Sequence, residues 1–159
     1  MNIRLITVGK IKEAYFRDAL AEYEKRMKRY GKFIIEEVPD EPTPDKASQA
    51  LEEQIKLKEA ERILRLVKQD SFVITLEIKG KKYDSVAFAK RLQDIAAHQT
   101  GEIVFIIGGS LGLHESVSAR ANEKISFSDM TFPHQLMRVI LSEQIYRAMR
   151  ILSNEPYHK

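Results

Sequence analysis

The chain reads as an α/β protein with a mainly parallel central sheet flanked by helices. Short apolar runs bounded by turn residues alternate with longer charged stretches of helical periodicity. The runs Phe72-Val73-Ile74-Thr75-Leu76 and Ile103-Val104-Phe105-Ile106-Ile107 are apolar without alternation. Strands covered by helices on both faces have that pattern. No internal repeat, low-complexity tract or interdomain linker interrupts the 159 residues, so one domain, 1–159, is expected.

Ile3-Arg4-Leu5-Ile6-Thr7-Val8 is the first strand, closed by Gly9. Residues 12–30 are helical, with Ala14, Ala19, Leu20 and Met27 as apolar positions and Gly31 as a C-cap. Phe33–Val38 is the second strand. Pro39, Pro42 and Pro44 make the next segment a loop, with Thr43 placed to cap a helix over 45–68. Leu51, Ile55, Ile63, Leu64 and Val67 form the buried stripe of that helix. Residues 71–78 are a buried strand, and Lys79-Gly80-Lys81-Lys82 turns out of it. Asp84 or Ser85 caps a helix to His98, and Gly101 precedes the most apolar strand, 103–107. A short helix at 115–121, a short strand at 124–127 and a last helix over 133–152 complete the reading.

Composition narrows the function. There is no cysteine, which excludes disulfides, Cys-ligated zinc, iron–sulfur clusters and thiol nucleophiles, and fits a reducing compartment. The start, Met1-Asn2-Ile3-Arg4-Leu5, lacks the apolar core of a signal peptide. No run approaches the roughly 20 apolar residues of a membrane span. A cytoplasmic protein is expected. The net charge of +3, from 26 basic and 23 acidic residues, permits a polyanionic partner such as RNA without demanding one.

Ile107-Gly108-Gly109-Ser110-Leu111-Gly112 is the first chemical signal. A buried strand running into glycines brings backbone close to a ligand at the strand's C-terminal end. The spacing is Gly-Gly-x-x-Gly, not G-x-G-x-x-G, and no Gly-Lys-Ser/Thr follows. A dinucleotide fingerprint and a P-loop are thereby rejected. The alternative is a tight turn without a ligand.

The last helix is the second signal. Glu143, Arg147 and Arg150 share one face, and Glu143–Arg147 is an i,i+4 ion pair in the favoured orientation. Arg138 points away from that stripe, with His134, Gln135, Ser142, Ile145 and Met149 near its own face. A helix with a single solvent face would not show this. Two covered sides are expected, one on the sheet and one on a partner subunit. Arg138 is a catalytic candidate or a paired interface arginine; His134 is a catalytic candidate or a polar residue opening the helix. Glu143 and Arg147 read as mainly structural. The third signal is Pro156-Tyr157-His158-Lys159, whose ring, imidazole and ammonium can stack, move a proton and pair with phosphate.

The glycine turn, Leu136-Met137-Arg138-Val139, Glu143-Gln144-Ile145-Tyr146-Arg147-Ala148 and Pro156-Tyr157-His158-Lys159 together resemble the ribosomal RNA large subunit methyltransferase H family. This is a group of pseudouridine N3-methyltransferases in the SPOUT superfamily. The resemblance spans the chain and is most specific over 103–159. It implies a C-terminal deep trefoil knot over about 103–159, a homodimer through the final helix, and S-adenosyl-L-methionine as cofactor. By position, it implies cofactor binding by Leu76, Gly108, Gly109 and the loop Phe127, Ser128, Asp129, Met130, Thr131, Phe132. No metal is implied. The implied substrate is N3 of a pseudouridine in 23S ribosomal RNA, on the assembled ribosome. Asn154 stands near where many relatives carry a helix-ending glycine, and asparagine tolerates the required left-handed backbone.

For that chemistry Tyr157 and His158 are candidates to position the base or take its imide proton, and Arg138 to stabilise charge on its carbonyls. Two other classes compete. A non-enzymatic ribosome-associated factor would not bind the methyl donor. A nucleotide-dependent oxidoreductase would bind a nicotinamide cofactor, against which the glycine spacing argues.

Overall fold

The computed structural model describes residues 1–99 and 101–159. Five strands, β1 (Ile3–Val8), β2 (Phe33–Val38), β3 (Phe72–Lys82), β4 (Ile103–Ile107) and β5 (Glu123–Ser126), form one sheet. Their order is β2-β1-β4-β3-β5, and every pairing is parallel. The helices are α1 (Ala14–Met27), α2 (Gln49–Leu66), α3 (Ser85–His98), α4 (Glu115–Arg120) and α5 (His134–Leu152). This is the α/β architecture expected, with a wholly parallel sheet.

Side chains alternate across a strand, so each strand feeds two cores. Ile3 and Leu5 of β1 and Ile103, Phe105 and Ile107 of β4 join Phe88 and Leu92 of α3 and Leu141 and Ile145 of α5. Ile6, Val8, Val104 and Ile106 face the other way, onto Ala60 and Ile63 of α2 and Val117 of α4. No position of β4 reaches water, which is why its sequence is apolar throughout.

Three local expectations are corrected. First, α2 does not start at Thr43. The proline-rich stretch runs on as non-helical chain, and Ser48 is the cap, its hydroxyl accepting from the Leu51 N–H at 3.2 Å. Leu51 therefore lies in the first turn and is exposed, while Ile55, Glu59, Ala60 and Ile63 are buried. Second, α1 starts at Ala14 and ends at Met27 with Lys28 as its cap, ahead of Gly31. Third, Lys79–Lys82 does not leave the sheet. Leu76 and Lys81 both align with Ile125 of β5, so residues 77–80 bulge out and the strand then resumes. Gly80 is what the crossing needs: a Cβ there would lie 2.5 Å from the Ile125 carbonyl carbon. At α3 the cap is Asp84, which accepts from the Ala87 N–H at 2.7 Å. At the end of α5, Asn154 adopts φ 54°, the left-handed stop anticipated from its side chain.

Candidate active site

The C-terminal ends of β3, β4 and β5 surround a cavity of about 900 Å³. Three segments far apart in sequence build it. The bulge of β3 contributes Leu76, Glu77, Ile78 and Lys79; the turn after β4 contributes Ile107–Leu113; the segment after β5 contributes Phe127, Ser128, Met130, Thr131 and Phe132. Ligands of open parallel sheets bind at such strand ends.

Backbone contacts shape each wall. In the glycine turn the Gly112 N–H donates to Gly109 O at 3.0 Å, and Gly112 holds φ +85° with open space beside it. A Cβ on Gly108 would lie 2.8 Å from the Gly112 carbonyl carbon, so only glycine lets the turn close. In the 127–132 loop the Ser126 hydroxyl donates to Ser128 O at 3.0 Å, and the Met130 N–H donates to Ser128 Oγ at 3.0 Å. The lining combines Leu76, Ile107, Leu111, Phe127 and Phe132 with Ser110, Ser128 and Thr131. A mainly apolar slot with a few polar residues suits a flat heterocycle with a polar tail, and its size suits a nucleoside-like cofactor.

Of the residues expected to bind the cofactor, Leu76, Gly108, Gly109, Phe127, Ser128, Met130, Thr131 and Phe132 line this one cavity. Asp129 does not; its side chain turns out to Lys82 at 2.7 Å. Sequence reasoning missed Glu77, Ile78 and Lys79, because they were read as strand end and turn. Glu77 accepts from Thr75 Oγ1 at 2.6 Å and Ser118 Oγ at 2.9 Å, which fixes the base of the bulge. The signal available was a carboxylate directly after an apolar strand.

His134 also lines the cavity, at the N-terminal end of α5. Burial, and then the nearby Arg138, hold its imidazole below the ordinary histidine range. Together with Gly109 and Ser110 it also borders a second cavity of about 630 Å³, at the ends of β1 and β2. Arg138 is part of that second cavity's frame. Its guanidinium is 1% exposed and donates to Glu37 Oε2 at 2.8 Å, to Val8 O at 2.6 Å and to Gly9 O at 3.0 Å. It ties α5 to the ends of β1 and β2.

The terminal segment lies elsewhere. The Tyr157 hydroxyl donates to Glu143 Oε1 at 3.0 Å, and the Tyr157 ring packs edge-on against Tyr146 with centroids 5.1 Å apart. Burial, followed by Glu143, raises the Tyr157 hydroxyl above the ordinary tyrosine range. Arg147 holds Glu143 at 2.6 Å, stands 4.7 Å over the Tyr157 ring and lies 3.2 Å from His158 Nδ1. The charged stripe of α5 is thus a dock for the tail. His158 borders a third cavity, of about 600 Å³, with Tyr83, Phe88, Ile140 and Gln144. Ile125, Ser126 and Phe127 separate it from the first. Tyr157 and His158 therefore do not line the large cavity of their own subunit.

An open parallel sheet with a glycine turn and a shaped loop around one strand-end cavity is an α/β architecture with room for a nucleoside-sized ligand. Comparison with known proteins narrows this. The family model described as "Predicted SPOUT methyltransferase" matches residues 1–158. A protein of Bifidobacterium adolescentis named ribosomal RNA large subunit methyltransferase H is 58% identical over 159 residues, covering all of both chains. One of the same name from Clostridium acetobutylicum is 54% identical over the same full length. A solved structure of a probable methylase family protein from Haemophilus influenzae Rd KW20 superposes with a TM-score of 0.53 at 14% identity. It covers 99% of this chain and 70% of that one, and supports the fold. The chain belongs to the SPOUT methyltransferase family, in the group of the ribosomal RNA large subunit methyltransferases H.

Proposed function

We propose that the protein methylates N3 of a pseudouridine in 23S ribosomal RNA, on the assembled ribosome, using S-adenosyl-L-methionine. The observation that carries this reading is the convergence of Leu76, Gly108 and the 127–132 loop on one cavity of nucleoside-cofactor size. The names of the full-length relatives support the ribosomal RNA substrate. The cofactor, when bound, supplies a methyl group activated on a sulfonium. The chain's own work is then to align the target nitrogen and to accept its proton.

The same reading makes the whole chain one domain with its C-terminal part threaded as a knot, and the active form a cytoplasmic homodimer. Support for the dimer comes from α5, where Leu136, Val139 and Ile140 line up only partly buried beside Glu143. Support for a shared site comes from the tail, docked outside its own large cavity and available to a neighbour's. A net charge of +3 without a separate RNA-binding domain fits a substrate recognised largely by particle shape.

The test has two arms. S-adenosyl-L-methionine should raise the thermal midpoint, and a nicotinamide cofactor should not. Gly108→Ala should weaken that binding by about tenfold or more with unchanged circular dichroism. Mass spectrometry of ribosomal RNA from cells lacking the protein should show one unmethylated pseudouridine, restored by adding the protein to intact ribosomes. No thermal shift together with fully methylated RNA would point to the non-enzymatic ribosome factor.

A further inference from the structure

We propose that the second cavity, at the ends of β1 and β2, receives the target base, and that Glu59 accepts its imide proton. This rests on the methyltransferase reading above and adds to it the residue that takes the proton.

The two cavities share a wall. Gly109, Ser110 and His134 border both, so the two cavities are neighbours on either side of the glycine turn. The second cavity is polar, unlike the first: Lys10 and Lys12 stand at it on the chain that follows β1, among the carboxylates of Glu13, Glu37, Asp40, Glu41 and Glu59. Its frame is rigid, because Arg138 clamps Glu37 and the carbonyls of Val8 and Gly9. A pyrimidine imide edge offers one N–H between two carbonyls and needs a fixed acceptor facing it.

Glu59 provides that acceptor. It comes from α2, is 6% exposed and lines this cavity. Its Oε2 accepts the Glu41 N–H at 3.0 Å. Its Oε1 makes no hydrogen bond with any described residue and lies against the glycine turn: a Cβ on Gly109 would sit 3.3 Å from it. The carboxylate is largely buried, but Oε1 is not sealed off, so a group bound in the cavity can reach it. Burial raises its proton affinity; the Glu41 N–H bond opposes this, Asp40 and the Glu41 charge add to it, and Arg62 opposes it, with a net rise. Glu37 and His134 face the cavity from β2 and α5. A carboxylate with raised proton affinity is better matched to an imide than an ordinary one.

The step balances. The N3–H pair stays on nitrogen and becomes the bond to the methyl carbon. The carbon–sulfur pair leaves with sulfur, and the proton passes to Glu59 Oε1.

The decisive variant is Glu59→Gln in the full-length protein. Its amide oxygen still accepts the Glu41 N–H, so a purely structural glutamate predicts little change. We expect unaltered cofactor affinity by calorimetry and about a 10²–10⁴-fold drop in single-turnover methyl transfer to unmethylated ribosomes. Wild-type transfer should fall as pH drops below the raised titration of Glu59, and Glu59→Gln should lose that limb. A Glu59→Gln rate within threefold of wild type, or lost cofactor binding, overturns the proposal. A wild-type rate that shows no fall toward acid pH overturns it without any variant. A wild type that transfers no methyl group overturns the functional reading itself, a different failure from an active Glu59→Gln.

Discussion

Two buried charges at the same end of the sheet, carried by helices on its opposite faces, teach opposite lessons. Arg138 spends both terminal nitrogens within its own subunit, joining α5 to β1 and β2, while its buried Nε has no partner among the described residues. Arg138→Ala should lower unfolding free energy by about 2–4 kcal/mol in urea titration, because two carbonyls and a carboxylate lose their donor. The figure is held below that of a fully enclosed pair because the Glu37 side chain is 39% exposed. Glu59 behaves in reverse. Its folded-state proton affinity is raised, so the folded protein binds more protons than the unfolded one around that range. Stability tied to this group is full below the unfolded value and is lost as pH rises through the folded one. Glu59→Gln, neutral at every pH, should therefore be more stable than wild type at pH 7. The advantage should vanish near pH 4, as thermal melts across that range would show.

At the level of elements, β3 and α5 do most to shape the site. The bulge in β3 sets Glu77, Ile78 and Lys79 at the cavity mouth, an outcome a strand-and-turn reading cannot give. Helix α5 does three jobs, the first two on one face as it runs from its N-terminal end onto the sheet. Leu141 and Ile145 pack on the sheet, His134 and Arg138 frame the cavities, and Glu143, Arg147 and Arg150 hold the tail. Deleting Tyr157–Lys159 removes the edge-on contact with Tyr146 and the bond to Glu143 but nothing from the large cavity. The truncated protein should keep its cofactor affinity by calorimetry and its dimer by light scattering, and lose methyl transfer. Lost cofactor binding would instead place the tail at the cofactor.

For the whole molecule, the question is what completes a cavity whose expected catalytic tail lies around the corner in the same chain. A second copy docked along Leu136, Val139 and Ile140 is the arrangement we infer. Ile140→Glu puts a charge in that apolar line and should shift the protein from dimer to monomer in light scattering at micromolar concentration. Methyl transfer should fall with it, since the shared site would come apart.

Strand and helix existence was legible in the sequence because periodicity reports burial directly: β4 is apolar because both its faces are covered. Asp84 and Asn154 were legible too, since capping and left-handed backbone are local chemistry. The start of α2 was not, because Thr43 and Ser48 are both competent caps and tertiary packing chose between them. The members of the cofactor cavity came from the resemblance, and their meeting is a fact of topology. Glu59 was invisible among the many charges of α2: periodicity marks apolar residues as buried, and only the fold shows a carboxylate carried in among them, one oxygen pinned and the other against the glycine turn. Sequence alone determined the elements and their order, because local periodicity and capping encode them. Tertiary structure decided which cavities those elements share and which charges face them, because both depend on contacts between residues distant along the chain.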